Sequence, residues 1–361
     1  MTQLFQNRRN KYQFRRNQQE IRPIAAKYSS IPCKGVKNLF ILERSFPIPA
    51  QKEEALLRRL PQTHKKRGAI EDSLEKAKAG FRGEVNLDYH LSFLPEKNYL
   101  LFNGLRLIYD HKAFQLDSLL LTAYFGLIIE NKNIAGTLTF EKFNQMIRMK
   151  DQKEQGFLDP IAQARRQLHQ LQKWLDLHKI KPIPLDYLIT ISNPSTILKT
   201  SIERIGLTDK VMHAIHIPDK IKELEQKYMN PALSPYYLQK LSQLILQEHT
   251  PAPFDILLHY QISKEEILKG VQCPACHFLP MVKERNQSNW RCPNCLLTSQ
   301  TAYQQAIDDY FHLISATITN PQCRDFLILP SRNIAYKLLA SMNLESKGST
   351  KGRVYYRQHR A

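Results

Sequence analysis

Two apolar, β-prone runs lie back to back between Phe114 and Ile134, in the stretch FQLDSLLLTAYFGLIIENKNI, and each carries charge that a buried strand tolerates only for a reason. Asp117 interrupts the first run, and Glu130 and Lys132 lie in the second. Tyr124, Phe125 and Gly126 read as the turn between them. Side chains alternate faces along a strand, and a hairpin pairs residues whose numbers sum to a constant. A loop with an even number of residues makes that constant odd. Asp117 then shares a face with Glu130 and Lys132, opposite one and diagonal to the other. An odd loop would throw them apart. Tight two-residue loops are the commonest in hairpins, so the even loop is expected.

The neighbouring segments supply further candidates. Residues 51 to 79 read as helical, broken at Pro61, and the spacing predicts a helix from about Glu71 to Leu94 despite Gly80 and Gly83. Leu87, Leu91 and Leu94 form its core-facing stripe, and one step back along that stripe stands Glu84. A helix starting at Gly83 would instead make Glu84 a first-turn acid favoured by the dipole. Tyr99 to Tyr109 reads as a first strand, ahead of the two runs above. After a polar stretch, Asp159-Pro160 marks a helix start. Ile161, Ala164, Leu168, Leu171 and Leu175 form the apolar stripe of that helix. Gln163 and Gln167 sit on its shoulder, and Arg165, Arg166, His169 and Lys173 point to solvent. Asp186 to Ile191 is a further strand, so the order is helix, three strands, helix, strand.

Glu84, Asp117, Glu130 and Lys132 bring together three acids and one ammonium. Carboxylate oxygens suit Mg²⁺, with water filling the rest of the octahedron. A metal there would polarise a phosphodiester and acidify a water, while a lysine steadies the water or the growing charge. The plainer reading is an edge-strand pair of Glu130 and Lys132 with an incidental Asp117.

The same residues carry a resemblance. Asp117, then Glu130-Asn131-Lys132 after an apolar strand, with Glu84 on the preceding helix, resembles the PD-(D/E)XK nuclease superfamily. More narrowly, four pieces of the chain are similar to the nuclease-related domain called NERD, over about residues 78 to 195. These are Gly83-Glu84, Gln115-Leu116-Asp117, the run Gly126-Leu-Ile-Ile-Glu130-Asn-Lys132-Asn-Ile-Ala-Gly136, and Pro160-x-x-Gln163. The resemblance implies an α/β, restriction-endonuclease-like αβββαβ core, divalent-metal-dependent nuclease activity and fusion to other nucleic-acid-handling modules. It also implies roles: Asp117 and Glu130 as ligands of Mg²⁺ or Mn²⁺, Glu84 as a third acid, and Lys132 as the group orienting the water or stabilising charge. Gln163 would orient the water or contact the phosphate. Where the family often has His after the aspartate, this chain has Ser118, which alternation turns away from the acids.

A second metal signal lies downstream. Cys273-Pro-Ala-Cys276 and Cys292-Pro-Asn-Cys295 are two C-x2-C turns separated by fifteen residues, the spacing of a four-thiolate zinc ribbon. Four thiolates close the coordination sphere, so this Zn²⁺ is structural, and His277 and His213 are bystanders. Cys33 and Cys323 remain as odd thiols and do not make a disulfide framework. Tyr303 to Ile318 and Asn333 to Met342 read as helices. The tail after them holds Lys347, Gly348, Lys351, Gly352, Arg353, Val354-Tyr355-Tyr356 and Arg357. Helix followed by a basic, aromatic hairpin is a winged-helix-like outline; a frayed basic tail is the rival reading.

The chain of 361 residues carries 52 Lys and Arg against 33 Asp and Glu, a net +19, which favours a polyanionic partner: nucleic acid, DNA before RNA. No apolar run reaches the ~18 residues of a membrane span, and the first residues lack a signal-peptide core, so a cytoplasmic protein is expected. The expected organisation is a basic arm over 1–50, with Arg8, Arg9, Lys11, Arg15 and Arg16, then a NERD-like domain with N-terminal helices over 51–200. A helical extension over 201–270 follows, holding a short strand at Val211 to Ile217, then a zinc ribbon over 271–300 and a C-terminal helical segment with a basic tail over 301–361. Arg165, Arg166, Lys173, Lys351 and Arg353 are the candidate nucleic-acid contacts. The expected function is Mg²⁺-dependent hydrolysis of nucleic acid. A non-catalytic nucleic-acid-binding protein is the alternative, and a zinc-docked protein scaffold is a third.

Overall fold

The computed structural model describes residues 39–141, 145–200, 209–283 and 289–357, with the side chain of Lys351 outside that set. The basic cluster from Arg8 to Arg16 and Cys33 lie outside the described residues. The chain divides into two compact units, one holding residues up to Arg44 and Glu84–Pro251, the other Ser45–Gly83 and Ala252–Ala361. It leaves the first unit after β1 (Phe40–Leu42) and passes through α1 (Ile48–Arg59). It re-enters the first unit within α2 (Arg67–Leu91), whose residues from Glu84 onward belong there. That helix runs through Gly80 and Gly83 and does not start at them.

The first unit is built on a six-stranded sheet. Along the chain come β2 (Leu100–Tyr109), β3 (Lys112–Leu121), β4 (Gly126–Lys132), β5 (Thr137–Glu141), β6 (Gln145–Lys150), β7 (Lys153–Leu158), α3 (Pro160–Leu177), β8 (Leu185–Ile191), β9 (Ile197–Thr200), β10 (Val211–His213), α4 (Ile217–Lys227) and α5 (Pro235–Glu248). The sheet order is β1-β2-β3-β4-β8-β10. β2, β3 and β4 are an antiparallel meander, β8 joins β4 in parallel after the α3 crossover, and β1 and β10 extend the edges in parallel. The expected αβββαβ order is therefore present as α2-β2-β3-β4-α3-β8.

The polar stretch before Asp159 is not loop. β5, β6 and β7 form an antiparallel meander, and β9 pairs with β5 to complete a second, four-stranded sheet. The sheet face bearing Phe102, Leu119 and Ile128 packs with Ile161, Leu171 and Trp174 of α3 and Ile245 of α5. On the other face Leu101, Leu120, Leu127 and Ile129 pack with Leu87 and Leu91 of α2 and Ile217 and Ile221 of α4.

One glycine interrupts the alternation. Asn103 pairs with Ser118 and Leu105 with Leu116, and between them Gly104 takes φ +61° opposite Asp117. Phe102 and Leu105, three apart, both enter the same core, as do Leu116 and Leu119. The left-handed step, open to glycine without a Cβ penalty, switches faces at the aspartate.

In the second unit the cysteine turns frame a three-stranded antiparallel sheet of β11 (Val282–Lys283), β12 (Trp290–Arg291) and β13 (Thr298–Ser299). Around it lie α1, the N-terminal part of α2, and α6 (Ile256–Tyr260). Then follow α7 (Ala302–Leu313), β14 (Thr317–Thr319), α8 (Asn320–Leu327), α9 (Arg332–Ser341), β15 (Leu344–Lys347) and β16 (Val354–Arg357). β16 pairs antiparallel with both β14 and β15. Helix, strand, helix, helix and a two-stranded wing, with the last strand central in the sheet, is the winged-helix arrangement. Asp309 of α7, fully buried, accepts from Arg59 Nε at 2.7 Å and Arg58 Nη2 at 2.8 Å of α1.

Candidate active site and metal centre

The loop between β3 and β4 is Thr122 to Phe125, four residues and even in number. Thr122 ties it together: its Oγ1 accepts from the Tyr124 and Phe125 amides, both at 2.9 Å. The register pairs Ser118 with Ile129, the last pair of the ladder, next to Asp117 on β3 and Glu130 on β4. The Asn131 amide donates to Asp117 Oδ2 at 3.0 Å, pinning the aspartate to β4.

Glu130 is 1% exposed, and three side chains on one side of the sheet supply its hydrogen bonds. Lys132 Nζ lies 2.5 Å from Oε1, Gln163 Nε2 donates to Oε1 at 2.6 Å, and Gln167 Nε2 donates to Oε2 at 2.9 Å. Lys132 also reaches Gln163 Oε1 at 3.3 Å. The two glutamines are one helical turn apart because α3 starts where Asp159 accepts from the Ile161 amide at 2.9 Å and Pro160 fills the first turn. Gln167 goes deeper than its shoulder position foretold: it is buried and also donates to the Gln115 carbonyl at 2.9 Å.

Glu84 is held differently. Arg44 Nη1 lies 2.6 Å from its Oε2, while Arg44 Nε and Nη2 grip Asp88 at 2.7 and 3.0 Å. The same guanidinium donates to Asn103 Oδ1 at 3.1 Å and to Ser118 Oγ at 2.9 Å. Ser118 in turn donates to Asn103 at 2.8 Å. Arg44, Asp88, Asn103 and Gln167 escaped sequence reading as site residues; for Gln167 the i,i+4 spacing from Gln163 was an available signal.

Electrostatics follow from placing acids on the buried central strands of the sheet. Burial, then the charge of Glu130, pushes the Asp117 carboxyl up to about 7, against the pull of the Asn131 amide and Lys132. Burial also raises Glu84, and Arg44 pulls the other way. For Arg44, burial disfavours the charge, but Asp88 and Glu84 offset it and hold the guanidinium above its usual range. Asp117 and Glu130 offer oxygen donors only, the ligand chemistry that suits a hard divalent cation.

The exposed side of α3 carries Arg165, Arg166 and Lys173, with Arg165 Nε donating to the Tyr187 hydroxyl at 3.1 Å. Arg353 belongs to the second unit, as does the backbone of Lys351.

The four cysteine sulfurs also lie in the second unit, all within 4.8 Å of one another, with Cys273 to Cys295 at 3.6 Å and Cys276 to Cys292 at 3.5 Å. Thiolates bound to one zinc at ~2.3 Å stand about 3.8 Å apart, so the set fits. Each turn closes through left-handed residues, His277 and Leu296, whose amides return to the Cys273 and Cys292 carbonyls at 3.1 and 3.0 Å. Among the described residues this is the one group of three or more His, Cys, Asp or Glu side chains placed to hold a metal ion. Glu84, turned onto Arg44, is not drawn into such a group with Asp117 and Glu130. No helix among the described residues is long and apolar enough to cross a membrane.

An antiparallel meander crossed by α3, with acids and a lysine on its central strands, is the frame of a nuclease-like α/β domain. Residues 79–192 match the family model of the nuclease-related domain, NERD, and this part of the chain is such a domain. Comparison with curated proteins and with solved structures gave no match.

Proposed function

We propose that this chain is a divalent-metal-dependent nuclease acting on DNA. The observation that carries the reading is the convergence of Asp117, Glu130, Lys132 and Gln163 from two paired strands and one helix, with Glu130 and Lys132 at 2.5 Å. Asp117 and Glu130 would hold Mg²⁺ or Mn²⁺, and Glu84 would assist from across Arg44. When bound, such a cation supplies charge neutralisation at the phosphodiester and acidifies a water. Lys132, freed from Glu130 by the cation's charge, would orient the attacking water or stabilise charge on the phosphorane. Gln163 would hold that water or a phosphate oxygen, and Gln167 would keep Glu130 in its orientation. Arg165, Arg166 and Lys173 on α3, and Lys351 and Arg353 near the C-terminus, would contact the nucleic acid. Zn²⁺ on the four cysteines would be structural. A cytoplasmic setting fits this reading.

The test is cleavage of linear and plasmid DNA by purified protein with Mg²⁺ or Mn²⁺. Asp117→Ala and Lys132→Ala should each lower the rate by about a hundredfold or more. Unaltered cleavage in both variants would overturn the assignment. One observation favours the second reading, a nucleic-acid-binding protein that does not cut: both oxygens of Glu130 are already engaged by neutral or cationic side chains. Salt-sensitive binding without cleavage under either metal would select it.

A further inference from the structure

Helix α9 sorts its residues sharply. Ala335 and Leu339 are buried, and Ile334 and Leu338 pack against the same core. Arg332, Asn333, Tyr336, Lys337 and Ala340 are exposed and lie on one helical face. This face has no acid, and among the described residues neither Arg332 nor Lys337 has an ion pair. The acids of the surrounding helices are occupied: Asp308 by Arg357 at 2.7 Å, Asp309 by Arg58 and Arg59, and Asp325 by Lys269 at 2.8 Å. These three acids are neutralised by cations other than those of α9, and Arg332 and Lys337 of α9 and Lys347 of β15 make no ion pair with them.

The helix is also set as an insertion element. α8 begins with a reciprocal cap between Thr319 and Gln322, ends at left-handed Ile328, and is joined to α9 by four residues ending in Ser331, whose Oγ accepts from the Asn333 amide at 3.2 Å. Asn320 Nδ2 donates to the Arg332 carbonyl at 3.0 Å, fixing the start of α9 against the start of α8. Two helices joined by so short a turn form a helix-turn-helix, in which the second helix enters the groove.

We propose that α9 is a recognition helix that reads the major groove of duplex DNA, with Arg332 and Asn333 at the base edges, Tyr336 and Lys337 beside them and Lys347 of the wing on a phosphate. A helix about 10–12 Å across fits the roughly 12 Å major groove of B-form DNA, whereas the deep, narrow major groove of A-form RNA excludes it. Arg and Asn are the side chains that pair bidentately with guanine and adenine. The inference deepens the DNA-directed part of the proposed function and is independent of cleavage.

The experiment measures anisotropy of a labelled DNA duplex on the full chain in the Asp117→Ala background, so that neither cleavage nor its absence affects the result. Arg332→Ala with Asn333→Ala should weaken the best sequence recovered from a random duplex pool by about tenfold or more and flatten its sequence preference. Lys347→Ala should weaken all duplexes alike and reduce the salt slope by about one. These positions are exposed, so an unchanged thermal midpoint should accompany each variant. Duplex binding unaltered in the first double variant would overturn the proposal. So would equal affinity for duplex RNA.

Discussion

Arg44 and Glu84 meet at 2.6 Å, and the same guanidinium holds Asp88, Asn103 and Ser118, so one arginine from just after β1 organises the acids at the end of α2. The arginine side chain is 6% exposed, against 29% for Glu84 and 18% for Asp88. Removing it leaves two carboxylates close together without their counter-charge. Discounted for the partial exposure of the acids, Arg44→Ala should cost about 2–3 kcal/mol in urea unfolding. Arg44→Lys should restore less than half, because an ammonium cannot span the same acceptors. An unshifted midpoint in both would show that the network contributes nothing to stability.

Asp117 makes cation binding pH-dependent. Its folded value, pushed up to about 7 by burial and Glu130, lies above its ordinary value, so the folded state holds the proton more tightly than the unfolded chain. The contribution to stability is therefore full at low pH and lost as pH rises through the acid range toward about 7. A cation must displace that proton below about 7, so apparent affinity for Mn²⁺ should fall about tenfold per pH unit there and level off above. Calorimetric titration across this range checks it; a flat profile would remove Asp117 from the ligand set.

Gln167 holds Glu130 from below and is itself buried. Gln167→Ala should lower metal affinity or cleavage by about ten- to a hundredfold, the usual effect of losing a side chain that orients a ligand. A cleavage rate within twofold of the parent, by rough reckoning, would make the contact merely structural.

Trp290, in β12 two residues before Cys292, is 1% exposed and the chain's other tryptophan, Trp174, belongs to the first unit. In a Trp174→Phe background, a strong chelator should shift Trp290 emission to the red, and zinc should reverse it. Apparent zinc energies of about 10–16 kcal/mol exceed what two-residue strands supply on their own. Emission that ignores the chelator would indicate that the knuckles fold without metal.

Gly104 has no atom within 4 Å of where a Cβ would stand, so substitution there tests backbone conformation alone. Gly104→Ala should cost about 1–2 kcal/mol from the positive φ, and Gly104→Asn less. Thermal unfolding of the two variants beside the parent gives the comparison; equal midpoints in all three would mean the strand relaxes out of its left-handed step.

The parity of the hairpin loop was legible, since an even loop was expected and the loop has four residues, but the face switch at Gly104 and Asp117 was not, because strict alternation gives no sign of it. The helix start at Asp159-Pro160 and the knuckles were legible because their signals are local. The second sheet was not. β7 is exposed along most of its length and β5 is half-buried, so neither has the apolar run that marks a core strand. Arg44 carries no signal at all, because a lone arginine in a loop does not announce partners 40 and 44 residues away. α8 could have been found: Thr319-Asn320-Pro321-Gln322 is a capping box with proline in the first turn.

The interleaving of the two units limits how this protein can be dissected. A fragment trimmed to the matched residues 79–192 would keep Glu84, Asp88, Asp117 and Glu130 while discarding Arg44. It would also discard β1 and β10, leaving β2 and β8 as raw sheet edges open to pairing with other chains. The smallest portable piece of the nuclease-related domain must therefore begin before β1 and extend past β10, which obliges it to carry Ser45–Gly83 as well or to replace that excursion with a designed bridge from Arg44 to Glu84.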